Sequence, residues 1–98
     1  MEKDITITKL VEKLKLALNL YELEVVDYWE ADLCSIGLIK ENKLIYISTY
    51  NYLNNVEPRY DFDFELIEDK TEKMNVIKCG RNVNAEELII MSNEFLKD

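Results

Sequence analysis

The stretch "YDFDFELIED", residues 60–69, constrains the fold more than any other part of this chain. Its period is two. Tyr60, Phe62, Phe64 and Leu66 share one parity, and Asp61, Asp63 and Glu65 share the other. Such alternation belongs to a half-buried β-strand, because successive side chains of a strand point to opposite faces of its sheet. Burying each phenylalanine is worth about 1.5–3 kcal/mol, so the aromatic parity is the core face. The three acids are then directed outward in a row, about 7 Å apart. In water-like dielectric, neighbours at that distance repel by only about 0.6 kcal/mol, so folding tolerates the row. The question is whether that row meets water or a basic partner.

The rest of the chain supplies what a sheet needs around that strand. In "ITKLVEKLKLALNL" (7–20), Ile7, Leu10, Val11, Leu14 and Leu18 form a helical stripe, widened by Leu16 and Leu20. Thr6 or Thr8 is the expected cap. Three strands are expected next, at 23–29, 33–39 and 44–50, rich in β-branched and aromatic residues. The links between them are short enough for an antiparallel meander, with Asn42 as the left-handed residue of the second turn. Gly37 predicts a bulge or a close backbone approach. A longer connection spans 51–59 and holds the only proline. After the 60–67 strand, "NVIKC" (75–79) predicts a fifth strand ended by Gly80. Asn84 and Glu87 have the spacing of a capping box before a helix over 85–96, with Leu88, Met91 and Phe95 on one stripe and Ile89 and Leu96 beside it.

The fold class expected is therefore α+β: an antiparallel sheet of four or five strands, covered on one face by an N-terminal and a C-terminal helix and largely solvated on the other. Ninety-eight residues make one domain, 1–98.

Composition excludes more chemistry than it suggests. There is no histidine, which removes Ser-His-Asp and Cys-His catalysis and nearly all zinc sites of standard composition. Only two glycines are present, and no phosphate-cradling glycine loop. Cys34 and Cys79 read as free, buried thiols of a reducing compartment. The opening "MEKDITITKL" does not read as a secretory signal, and no apolar run is long enough to span a bilayer. A cytoplasmic protein with no cofactor, no metal and no enzymatic activity is the expectation. The weak metal reading of Asp61, Asp63 and Glu65 fails as a calcium loop, because Leu66 stands where such a loop needs glycine. A metal-dependent hydrolase at those acids ranks third among the functions considered. Short nuclease-like matches, Glu68-Asp69-Lys70 and Glu41-Asn42-Lys43, are of the kind chance gives in a chain one-third charged.

The net charge is −8, and it is clustered. Residues 21–32 hold five acids and no base, residues 57–72 seven acids and two bases, so each segment carries −5. A field of that sign repels nucleic acid and anionic lipid and attracts basic proteins. Candidate partner-binding residues are Asp61, Asp63, Glu65, Glu68 and Asp69 of the second segment, and Tyr28, Glu30 and Asp32 of the first. Tyr28 joins the acids because an aromatic beside a charged rim is the pattern of an interface. Trp29 reads as core. Tyr46, Tyr50 and Tyr52 fit either core or contact.

In size, acidity, lack of histidine and layout, and in "YWEADL" (28–33), "IGLI" (36–39) and "YDFDFELIED", the chain resembles the small acidic immunity proteins of contact-dependent growth inhibition, a bacterial toxin–immunity system. The resemblance implies a cytoplasmic protein that binds and neutralises the toxic C-terminal domain of a cognate toxin protein, often a basic nuclease, through an acidic surface. It assigns no family residue to this sequence and no oligomeric state. The alternative is an acidic inhibitor that mimics nucleic acid, its carboxylates spaced close to the phosphates of one DNA strand.

Overall fold

The computed structural model describes residues 3–27, 31–68 and 73–97. Helix α1 spans Ile5–Ala17 and runs into a short 3-10 turn at Asn19–Tyr21. Strands β1 (Glu24–Val26), β2 (Ser35–Lys40), β3 (Lys43–Ser48), β4 (Tyr60–Glu68) and β5 (Lys73–Val83) follow, then helix α2 (Ala85–Leu96). The sheet order is β1-β2-β3-β4-β5, and every neighbouring pair is antiparallel. The α+β class, the meander and the two terminal helices are as the sequence predicts.

The helices lie on one face. Ile36 and Leu38 of β2, Ile45 and Ile47 of β3, and Tyr60, Phe62 and Phe64 of β4 form a continuous core with Ile7, Leu10 and Leu14 of α1, Leu18 just after it, and Leu88 and Leu96 of α2. The Phe64 ring stacks on Phe95 with centroids 4.5 Å apart. Leu16 and Leu20, expected to widen the α1 stripe, are exposed: Leu16 falls on the flank of α1 turned away from the core, and the helix has ended before Leu20, which lies in the 3-10 turn. On α2 the most buried positions are Leu88, Ser92 and Leu96, with Met91 and Phe95 half-buried. The two lysines that flank the β2–β3 turn hold the end of α2. Lys40 donates to the Leu96 carbonyl at 3.3 Å and Lys43 to the Lys97 carbonyl at 3.1 Å. Cations there complement the negative end of the helix dipole.

Several boundaries differ from expectation, each for a local reason. The α1 cap is Asp4, not Thr6 or Thr8: its Oδ1 accepts from the Thr6 backbone N–H at 2.9 Å, so "ITIT" lies inside the helix. The capping box of Asn84 and Glu87 forms as expected, with bonds of 2.8 and 3.1 Å. In the two-residue β2–β3 turn the left-handed residue is Glu41, at φ 55°, not Asn42. Gly37 introduces no bulge; its register with Val26 and Tyr46 is unbroken. The irregularities lie instead between β4 and β5, beside Tyr60/Phe62 and Phe64/Glu65.

Gly80 does not end β5 but sits within it, opposite Phe62. A Cβ at Gly80 would lie 2.1 Å from Phe62 Cε1 and 2.4 Å from Cζ, so only glycine lets this ring lie flat against the strand. The β5 backbone then turns at Asn82, φ 58°, a residue type that tolerates the left-handed region.

The face without helices is not a simple solvated face. Val26, Ile39, Leu44, Tyr46 and Ile67 share its parity with Asp61, Asp63 and Glu65, and all are buried or half-buried. Cys79 is exposed and Cys34 half-buried, so neither thiol is fully buried as expected; both are free.

Candidate functional site

Asp32 of the first charged segment meets Asp61 and Asp63 of the second on the helix-free face. Asp61 and Asp63 come from β4, Tyr46 and Ser48 from β3, Tyr50 and Asn51 from the 3-10 turn that follows β3, Asp32 from the β1–β2 connection and Arg81 from β5. Together they line a cleft of about 350 Å³. Strand register brings this about: Tyr46 lies opposite Asp63, and Ser48 opposite Asp61. The connection after β3 then folds back over the end of β4. Thr49 donates its backbone N–H to the Cys34 carbonyl at 2.9 Å, which holds the 3-10 turn of Tyr50–Tyr52 against the β1–β2 connection.

Asp61 is the floor of the cleft, not part of its rim. It is 8% exposed. Asn51 Nδ2 donates to its Oδ2 at 2.9 Å, and the Tyr52 hydroxyl and the Asn82 backbone N–H donate to its Oδ1. Burial works to raise its pKa, but the donors Tyr52, Asn51 and Asn82 and the nearby Arg81 charge outweigh it, and the carboxyl is held below its usual value. The same bond raises the Tyr52 phenol, with burial and the Asp61 charge adding to it. Asp61 is therefore an ionised carboxylate whose acceptor capacity is spent inside the fold. Period two places Asp61 on the open face as expected, but it is covered there, because the β3–β4 connection and Asn82 supply donors that period-two reasoning does not see.

Asp63 is half-buried and pairs with Arg81 at 3.3 Å. Arg81 Nη1 also donates to the Phe62 carbonyl at 3.1 Å and the Gly80 carbonyl at 2.9 Å, and its side chain remains 56% exposed. Burial alone would lower the Arg81 pKa, but Asp63 and Asp61 raise it, so the guanidinium stays charged.

Glu65 lies one step further along the same face, opposite Leu44 and Val76. These apolar neighbours desolvate it, and the Asp63 charge adds repulsion, so its pKa is raised. At the cleft's other wall, Asp32 Oδ1 accepts from the Cys34 backbone N–H at 2.9 Å, which fixes the carboxylate at the start of β2. Burial raises the Cys34 thiol, with the charges of Asp4 and Asp32 acting in the same direction.

Of the predicted partner-binding residues, Asp32, Asp61 and Asp63 are thus brought together, with Glu65 adjoining. Glu68 has the opposite strand parity and accepts from Asn75 Nδ2 at 2.9 Å, so it stands apart from the row. Tyr28, Glu30 and Asp69, and Trp29 with them, lie outside the described residues. Sequence reasoning missed Asn51 and Arg81. A hint of Asn51 was present in "NYLNN", where amide side chains crowd a turn; nothing in "CGRN" marked Arg81 as a partner for Asp63.

The cleft has half-open carboxylates, tyrosine walls and an arginine already seated against Asp63. Chemically it suits a cation with hydrogen-bond donors, of which a guanidinium or ammonium side chain is the commonest protein example. Among the described residues no cluster of three potential ligands is arranged to hold a metal ion, and no helix is long and apolar enough to cross a membrane. Comparison with protein-family models, curated proteins and solved structures gave no match.

Proposed function

We propose that this chain is an immunity protein: a cytoplasmic inhibitor that binds a cognate basic toxin domain through the helix-free face of its sheet. The observation that carries the reading is the convergence of Asp32, Asp63 and Glu65, from two separate acidic segments, with Tyr46 and Tyr50 on one uncovered surface. Aromatic anchors beside carboxylates suit a partner rich in lysine and arginine, and complementary charge speeds the encounter. Asp61 supports this surface from beneath. Folding alone does not call for so much negative charge on one side of a sheet, whereas a basic partner does.

The nucleic-acid mimic fits less well. A mimic needs a regular row of presented anions, and here the first carboxylate of the row is buried and the second is paired with Arg81.

The test is co-expression with a panel of basic toxin domains of bacterial secreted proteins. Rescue of growth is expected with one cognate toxin and not with the others. Asp63→Lys combined with Asp32→Lys should weaken binding at least tenfold, and raising salt should slow association of the wild type. A folded, expressed wild type that fails to rescue would remove the proposal.

A further inference from the structure

The two edges of the sheet are built differently. β1 is three residues long, a short edge of the kind that discourages further pairing. β5 is eleven residues long, and among the described strands none pairs with its outer side. A long open edge is a template for another strand unless its side chains forbid it.

The register shows which strand those side chains admit. Lys73, Asn75 and Lys78 lie opposite Glu68, Leu66 and Phe64, so they share the parity of the helix-covered face. Met74, Val76 and Cys79 lie opposite Ile67, Glu65 and Asp63, so they share the parity of the open face. Lys73 and Lys78 are therefore on one side of the edge and Met74 and Val76 on the other, with Val76 55% exposed, while Arg81 further along the strand lies on the open face against Asp63. β5 has three bases, Lys73, Lys78 and Arg81, and no acid, in a chain whose net charge is −8. Antiparallel pairing with a second copy of β5 would crowd lysines from both copies on one face, and like charges across strands are destabilising. The same lysines favour a strand that places carboxylates beside them.

We propose that the outer edge of β5 accepts an extended segment of a partner protein as a sixth strand, one that alternates acidic and aliphatic residues. Its carboxylates lie on the helix side near Lys73 and Lys78, and its aliphatic side chains extend the open face beside Met74 and Val76. Main-chain hydrogen bonds hold the segment, and the segregation of charge from apolar surface sets which way round it binds. This surface is distinct from the acidic cleft, and the inference does not depend on the immunity reading.

The experiment is an NMR titration of the full chain with two capped nine-residue peptides, one alternating valine with glutamate and one alternating valine with lysine. The glutamate peptide should shift and protect amides of residues 73–83 and bind at least tenfold more tightly than the lysine peptide. Lys78→Glu, an exposed substitution, should reverse that preference while leaving the unbound spectrum folded. Equal response to both peptides, no response at millimolar peptide, or shifts centred on Asp63 and Tyr46 would overturn the proposal. So would sedimentation showing that the free chain dimerises through β5.

Discussion

Replacing Asp61 by alanine separates a carboxylate that holds the fold from one that meets a partner. The side chain accepts from Asn51, Tyr52 and the Asn82 backbone N–H. A hydrogen bond to a charged group contributes about 1.5–3 kcal/mol when buried, and a donor left without a partner costs further. The three do not add fully, because Asn51 is exposed and regains water when the carboxylate is gone. Tyr52 is half-buried, and Asn82 is fixed by its left-handed backbone. A loss of about 2–4 kcal/mol is expected for Asp61→Ala, a large share of what a domain of this size has. By the usual scaling this lowers Tm by on the order of 10–20 °C. Urea unfolding followed by far-UV circular dichroism measures it. A double-mutant cycle with Tyr52→Phe should show coupling of about 1–2 kcal/mol. The pH dependence has a definite sign. The folded-state pKa lies below the ordinary 3.8, so the stabilisation is present above that value and is lost as pH falls through the folded pKa. The gap between wild type and Asp61→Asn should be widest near neutrality and close in strong acid. A loss under about 0.5 kcal/mol, within the range of surface substitutions, would refute the assignment of Asp61 to the fold.

Gly80→Ala places a methyl against a ring that is 1% exposed and cannot swing aside. It should cost about 1–3 kcal/mol, and Phe62→Leu in the same chain should restore part of the loss, as denaturant midpoints will show. Glu65 has the opposite linkage to Asp61. Its pKa is raised by burial and by Asp63, so its protonated form favours the fold, and that contribution is lost as pH rises through the folded pKa. Glu65→Gln should therefore raise Tm at neutral pH and leave it unchanged near pH 3; an equal effect at both would disprove the desolvation account.

Much of the architecture was legible because it rests on periodicity. The alternation over 60–66 fixed which face of β4 is core, and Phe62 and Phe64 lie there, each 1% exposed. The spacing of Asn84 and Glu87 marked the start of α2, since a capping box is a local device that needs no tertiary context. What failed was whatever depends on residues distant in sequence. Period two assigns Asp61 to the open face correctly, but only the fold-back of Asn51 and Tyr52 decides that this face is buried at that point. Gly80 read as a strand end because glycine is rare in strands; its real constraint is the Phe62 ring, eighteen positions away. The left-handed turn residue Glu41 was missed because Asn42 is the better left-handed residue by propensity, and the unbroken ladder on both sides sets the register instead. An acidic side chain at φ 55° costs about 1 kcal/mol, small against the strand pairing it permits.

The fold changes what the charge count means. A net charge of −8 suggests an anionic surface of uniform reach, but the fold divides the acids into unlike groups. Asp27 is taken up by Lys3 at 2.8 Å, and that lysine is 8% exposed. Asp4 is used as a helix cap, and Asp61 as an anchor for the connection after β3. Asp4 and Asp61, whose hydrogen bonds come from neutral donors, still add to the field at a distance, whereas Lys3 offsets the charge of Asp27. Contact is a different matter: it needs carboxylates that can exchange their present neighbours for a partner's. Asp63 and Glu65 meet that condition. The Arg81 bond to Asp63 is long and half-exposed, and a surface pair of that kind contributes at most about 1 kcal/mol, so an incoming arginine displaces it at little cost. Glu65, destabilised as an anion in the free protein, gains most from a cation placed beside it. For the proposed basic partner, long-range steering and short-range pairing would thus fall to different acids, and substitutions at the two sets should separate in kinetics. Loss of Asp27, which removes the charge that offsets Lys3, should alter the rate of association and its salt dependence, whereas loss of Glu65 should act on dissociation.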